Sequence, residues 1–245
     1  MRVGAYIDGL NLFYGGRSIC GRSQARWRWL DLRQLALRLI GGVPSWVAQG
    51  AVLDRVVYCT AFVDGRRNSN GRSHQDRYVA ALRHHQSFDR ILVGRFVARV
   101  VRSPLAVAGR DRKPKVVTSQ WPIMLQDSSG VDVPDAVFMA SHIRSEEKGT
   151  DVNLASQLLV DVLTERVDAA VVITNDSDLS LPVRESRLRV PVGTVNPSNR
   201  WLAGDLAGQP IDGVGGHWWR QLSAPDFTSC QLPDPVGTLS KPTGW

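Results

Sequence analysis

Four aspartates at the ends of apolar segments are the residues of this sequence best placed to do chemistry. Asp8 closes "RVGAYID", Asp151 opens the apolar stretch after "EEKG", and Asp176 and Asp178 stand two apart in "AVVITNDSDLSLPV". Carboxylates drawn together repel one another, and desolvation adds to that cost, so the set persists where divalent cations compensate. All-oxygen ligands favour Mg2+ or Mn2+ over zinc or copper. Each acid taken alone also has a plain structural reading. Asp178 can cap a helix starting at Leu179, Asp176 can make an Asx-turn, Asp151 can cap the long helix behind it, and Asp8 can be a turn residue before Gly9. The metal reading rests on the conjunction: a cap accepts Ser, Thr or Asn at each position, whereas a metal site needs acids at all of them.

The elements that would position these acids alternate. Strands are expected at 2–7, 55–63, 91–101, 115–124, 168–174 and 189–196, from their β-branched content and the turn residues at their ends. Helices are expected in "LDLRQLALRLI" with Asp31 as its cap, in "SHQDRYVAALRHHQ" from Ser73, and in "DVNLASQLLVDVLTER", where Val152, Ala155, Leu158, Leu159, Val162 and Leu163 share a face. Strand, helix, strand in succession implies a parallel sheet covered on both sides, with ligands bound beyond the carboxyl ends of its strands. Asp8, with Asn11 three residues on, Asp151 and the Asp176/Asp178 pair would then converge at one sheet edge. Two regions break the rhythm. Residues 91–124 read as an inserted antiparallel ribbon around "RSPLAVAGRDRKPK", and "SAPDFTSCQLPDPVGTLSKPTGW" reads as an extended tail.

At 245 residues and 27.0 kDa, with 43% hydrophobic and 22% charged residues, the chain suits one α/β domain with an appendage. No apolar run reaches membrane-spanning length, and Asp8 interrupts the first apolar run too early for a secretory signal. Cys20, Cys59 and Cys230 are odd in number and widely spaced, which matches neither a disulfide framework nor a zinc pattern and leads to an expected cytoplasmic location. The net charge of +7 conceals a division: residues 1–120 hold 21 Lys and Arg against 7 Asp and Glu, and the remainder holds 9 against 16. A basic half attracts polyanions and an acidic half tolerates cations, which suits an enzyme that grips a phosphate backbone. On the ribbon, Arg95 and Arg99 share a strand face, and with Lys113 and Lys115 they form a candidate phosphate rail; Arg90, Arg102, Arg110 and Arg112 lie in the same stretch. The alternative for these cations is a charged edge that resists aggregation. "RWRW" (26–29) places aromatics between cations as single-strand binders do, although Trp29, ahead of an apolar helix, reads as core.

Taken together, "YIDGLNLFY", "EEKGTDVNLASQLL" and "VVITNDSDLSLPV", in this order, resemble the NYN domain family of PIN-like ribonucleases over residues 1–200, with 201–245 as a C-terminal extension. The resemblance implies a Rossmann-like α/β/α sandwich with a central parallel sheet and an RNA-cleaving site dependent on Mg2+ or Mn2+. It makes Asp8 the first-strand metal ligand, Asn11 its hydrogen-bonding companion, Lys148 a phosphate contact, and Asp151, Asp176 and Asp178 the remaining acids. Many members carry a further acid where this chain has Gln157, which leaves a site that holds one ion firmly and a second weakly, or only one ion. RNA is the expected partner, with no membrane. The tail is a candidate docking segment for a partner protein, and a homo-oligomer is compatible with the sequence. The alternatives are an RNA-binding module with a non-catalytic acidic site, or a haloacid dehalogenase-like phosphatase. The latter's "IDG" nucleophile would need an acid two residues on, and Leu10 stands there.

Overall fold

Apolar residues on both faces define the first strand, β1 (Arg2–Asp8): Val3, Ala5 and Ile7 enter one core and Tyr6 enters another. The chain continues through α1 (Gly9–Cys20), α2 (Leu32–Gly41), α3 (Pro44–Ala48), β2 (Val52–Ala61), α4 (Ser69–His84) and β3 (Arg90–Pro104). Next come β4 (Ala106–Ala108), β5 (Pro114–Val116), β6 (Met139–Lys148), α5 (Thr150–Leu163) and β7 (Ala169–Ile173). A 3-10 turn at Ser177–Leu179 leads into α6 (Ser180–Arg187), followed by β8 (Val192–Asn196), α7 (Gly204–Ala207), β9 (Trp218–Gln221) and α8 (Ala224–Ser229). This computed structural model describes residues 1–21, 26–109, 113–120 and 124–245.

The seven-stranded sheet has the order β6-β3-β2-β1-β7-β8-β9. The pairs β1–β2, β1–β7, β2–β3, β7–β8 and β8–β9 are all parallel. The expected Rossmann-like α/β/α architecture is therefore present, with β1 at its centre. Period-two alternation divides the core. Val171 and Ile173 join Trp29, Leu35, Leu39 and Trp46 on one side of the sheet, while Val172 joins Leu154, Leu158 and Val183 on the other. Trp29 is thus core, and its Nε1 donates to the Pro233 carbonyl. Cys20, Cys59 and Cys230 are buried and unpaired. Among the described residues no helix is long and apolar enough to cross a membrane.

Two compact units divide the chain: Met1–Phe96 with Glu147–Trp245, and Val97–Glu146. The excursion is longer than the expected 91–124 ribbon and starts later, because Arg90–Gly94 pair with Val57–Ala61 and so belong to the main sheet. Within the smaller unit, β4 and β5 form an antiparallel pair, and single bridges join Thr118 to Val137 and Gln126 to Asp132. The strand expected at 115–124 shrinks to β5, which ends at Val116, and its residues 121–123 lie outside the described residues, as do Arg110 and Arg112. In the larger unit, residues 201–245 supply the edge strand β9 and the short α8, whose Phe227 is core. The final ring, Trp245, packs against Trp29, His74 and Tyr78.

Candidate active site

Asp8 is the last residue of β1 and the N-cap of α1, so one side chain closes a strand and opens a helix. Its Oδ1 accepts from the Asn11 backbone N–H at 2.9 Å, and its Oδ2 accepts from the Thr174 hydroxyl at 3.2 Å. Thr174 follows β7, the strand paired alongside β1, which is why residues 166 positions apart in sequence meet. Asn11 does not bond to Asp8 through its side chain. Its Oδ1 accepts from the Asn175 N–H at 3.1 Å and ties α1 to the turn after β7. That turn is fixed further by Thr174 Oγ1, which accepts from the Asp176 N–H, and by Asp176 Oδ1, which accepts from the Asp178 N–H.

Asp8, Asn11, Glu147, Asp151, Asp176 and Arg200 line one cavity of about 490 Å3 at the carboxyl ends of the strands. Asp151 lies in the first turn of α5, after Gly149 in the left-handed region (φ 101°), a turn that glycine makes without strain. The capping expected of Asp151 falls instead to Glu147, whose Oε1 accepts from the Thr150 N–H at 3.0 Å. Burial, followed by the charges of Asp151 and Asp176, pushes the Asp8 carboxyl up to about 7, although the bonds from Asn11 and Thr174 oppose the shift. Asp151 is pushed up to about 6 by burial, then by Asp176, Glu147 and Asp178. These acids therefore repel one another through the same small volume.

Among the described residues no three His, Cys, Asp or Glu side chains are grouped tightly enough to hold an ion by themselves. The donor set accordingly does not suit a closed protein cage. It does suit Mg2+ or Mn2+, which keep several waters and take one or two carboxylates. Asp8, Asp151 and Asp176 are the residues that could provide those. Asp178 is exposed and does not line the cavity, and neither does the exposed Lys148 at the end of β6. Arg95, Arg99, Lys113 and Lys115 are all exposed; Arg95 lies in the larger unit and the other three in the smaller.

Glu147 and Arg200 are cavity residues that the sequence reading passed over. Glu147 stands inside the quoted "EEKG", but nothing in the spacing separates it from a solvated acid. Arg200 comes from the loop after β8, which the side chains of Asn196 and Gln221 hold by donating to the Arg200 carbonyl. Gln157 is 8% exposed and turns away from the cavity into a buried network. Its Nε2 donates to Asp161 Oδ1 at 2.9 Å, where Arg55 also pairs at 2.6 Å, while the Tyr6 hydroxyl donates to Asp161 Oδ2.

The fold and the cleft together define a Rossmann-like α/β/α protein with an acidic centre at the carboxyl edge of its sheet. No family model matches the chain. Over its whole length it is 28% identical to 6-hydroxy-3-succinoylpyridine 3-monooxygenase HspA of Pseudomonas putida, spanning 75% of that protein. A crystal structure of a protein of unknown function from Vibrio parahaemolyticus aligns with a TM-score of 0.47 and 15% identity, over 92% of this chain and 94% of that one.

Proposed function

We propose that the chain is a divalent-metal-dependent ribonuclease of the NYN kind, which hydrolyses RNA phosphodiester bonds at the acidic cleft. The observation that carries this reading is the convergence of Asp8, Asp151 and Asp176 on one cavity with Arg200 among its lining residues. Mg2+ or Mn2+, when bound, would supply an activated water and neutralise charge on the phosphoryl group. The chain's own residues do the positioning. Thr174 and the Asn11 N–H hold the two Asp8 oxygens in fixed directions, and Asn11 keeps the Asp176 turn in place. Arg200, exposed and without an ion pair among the described residues, offers planar donors to a nonbridging phosphate oxygen. Three buried, unpaired cysteines accord with a cytoplasmic site of action.

The test is incubation of the full chain with single-stranded and structured RNA in Mg2+, in Mn2+ and in EDTA. Cleavage that needs the metal and is lost in Asp151→Asn and Asp176→Asn is the expected result. Metal-independent cleavage, or none on any RNA, would overturn it.

The likeness to a pyridine-ring monooxygenase across the entire chain favours a second reading, oxygenation of a hydroxylated heteroaromatic acid. A monooxygenase places one atom of O2 in its substrate and reduces the other to water with two electrons from a donor. Consumption of O2, in the presence of a two-electron reductant, on adding 6-hydroxy-3-succinoylpyridine tests this directly.

A further inference from the structure

Asn11, Tyr14, Gly15 and Ser18 of α1 all line the acidic cleft, and their spacing places them on one stripe of the helix. The stripe runs away from the carboxylates. Asp8 caps α1, and Tyr14 stands about 9 Å further along the helix axis. Facing this stripe is the loop after β8, which contributes Ser198 and Arg200 to the lining. The loop is packed on the helix itself. A side chain at Gly15 would collide with the Pro197 backbone, and the Asn199 N–H donates to the Ser18 hydroxyl at 3.2 Å.

Helix and loop each carry an exposed aromatic ring. Tyr14 is 58% exposed, and Phe13 braces it in a T-shaped contact with ring centroids 5.6 Å apart. Trp201, the residue after Arg200, is 95% exposed. Its backbone is held firmly although its ring stands in water. The Asn175 side chain donates to the Trp201 carbonyl at 3.0 Å and accepts from the Ala203 N–H at 2.8 Å, while the Asn175 N–H donates to Asn11 on α1. Asn175 also lines the cleft, so the Trp201 backbone sits at its rim. A solitary apolar ring on a surface needs no explanation. Two rings on the two sides of one cleft, both on anchored backbone and one of them adjoining a cleft arginine, are a different matter. Packing does not account for Trp201, because its ring buries almost nothing.

We propose that Tyr14 and Trp201 form a base-stacking subsite of the acidic cleft, where unpaired bases of an RNA strand lie against the two rings and Arg200 meets the backbone phosphate. The inference rests on the ribonuclease reading and adds how the strand is held. Aromatic rings present a large contact area at little cost in conformational entropy, since only two side-chain torsions must be fixed. Every base has a π-face, so the subsite tolerates any sequence but requires a base. Bases inside a duplex are stacked on one another and do not offer their faces. The cleft volume of about 490 Å3 is that of a small-molecule pocket, which suits a nucleotide unit rather than the width of a double helix.

The experiment is fluorescence anisotropy in Mg2+ on the full chain carrying Asp8→Asn to prevent cleavage. The probes are a labelled oligouridylate and an abasic ribose-phosphate oligomer of the same length and charge. The oligouridylate should bind at least about tenfold more tightly than the abasic oligomer. Tyr14→Ala and Trp201→Ala should each weaken the oligouridylate about tenfold and leave the abasic oligomer unchanged, whereas Tyr14→Phe and Trp201→Phe should retain most of the affinity. A merely structural role for either ring would move both probes together. The side chains are exposed, and unchanged far-UV circular dichroism verifies folding of all four variants. Equal affinity for the two probes, alanine variants without effect on the oligouridylate, or alanine variants that weaken both probes alike would overturn the subsite and leave the ribonuclease reading standing. No binding of either probe at about 1 mM would overturn both.

Discussion

Asp8 caps α1 and faces the acidic cleft with the same carboxylate, so its charge is useful to the helix and costly to the site. In the folded chain its carboxyl is lifted to about 7, while an unfolded aspartate titrates near ~3.9. Between those values the folded state holds a proton that the unfolded state has released, so the metal-free protein loses stability as pH rises through that window and regains it on acidification. Asp8→Asn keeps a capping oxygen and removes the charge. It should abolish metal-dependent cleavage yet raise the metal-free melting temperature at pH 8, by about 2–4 °C for each kcal/mol of repulsion relieved. The gap to the wild type should narrow toward pH 5; scanning calorimetry in EDTA checks both statements. Gln157 gives the converse case. A glutamate there would supply the further acid that many NYN domains carry at the matching position, but the amide it replaces donates to Asp161 in a buried network. Gln157→Glu should therefore destabilise the fold by about 2–4 kcal/mol, measured by urea unfolding, without adding a second ion in a Mn2+ titration.

Among the elements, α8 shows how a short helix is held by one side chain. Asp226 is fully buried, pairs with Arg38 at 3.0 Å and with Arg220, and closes a capping box with Ser223. Burial pushes its carboxyl up, but the Ser223 hydrogen bonds and the two guanidiniums outweigh burial and leave it below the ordinary range. A lowered carboxyl stabilises the fold above the unfolded value and stops doing so as pH falls through the folded one. Asp226→Asn should cost about 3 kcal/mol at neutral pH by urea unfolding, with the deficit closing in strong acid. "SAPDFTSC" does carry the Ser-x-x-Asp pattern of a capping box, but the run behind it is too short and too polar to read as a helix, and the partners Arg38 and Arg220 that fix Asp226 come from α2 and β9. β1 and β7 were legible because strands buried on both faces must be apolar throughout. β9 was not, since "WWRQ" is a four-residue edge strand that exists through its pairing with β8. α1 was hidden by Gly15 and Gly16, poor helix formers. A side chain at Gly15 would collide with the Pro197 backbone, so close packing rather than propensity chose the residue. The site divides in the same way. Asp8, Asp151 and Asp176 could be read from their places beside strand ends, whereas Arg200 reaches the cavity through a folded loop and Glu147 from the end of β6, where nothing in the spacing separates it from a solvated acid.

For the molecule as a whole, charge is the property that composition fixed before any fold was known. The first 120 residues carry 21 basic against 7 acidic groups, and some of those basic groups lie on exposed strand positions, Arg95 and Arg99 on β3 and Lys115 on β5. If the protein grips RNA with its own surface, these cations and Lys113 replace condensed counterions along the strand, and each contact contributes about 0.7 to the slope of log K against log salt. Replacing Arg95, Arg99, Lys113 and Lys115 by Gln should then weaken RNA binding across all sequences and flatten that slope by about three units. The acidic cleft uses none of these residues, so the rise in melting temperature on adding Mg2+ or Mn2+ should be the same in the variant as in its parent. The measurement is a salt titration of RNA affinity with cleavage disabled by Asp8→Asn in both proteins. An unaltered slope would assign the four cations to edge protection and shift the search for the RNA grip to Arg17, Arg28 and Arg200. A slope reduced by three with an unaltered metal response would show that binding and cutting are separable properties of this chain, one carried by its basic half and the other by the carboxylates at its sheet edge.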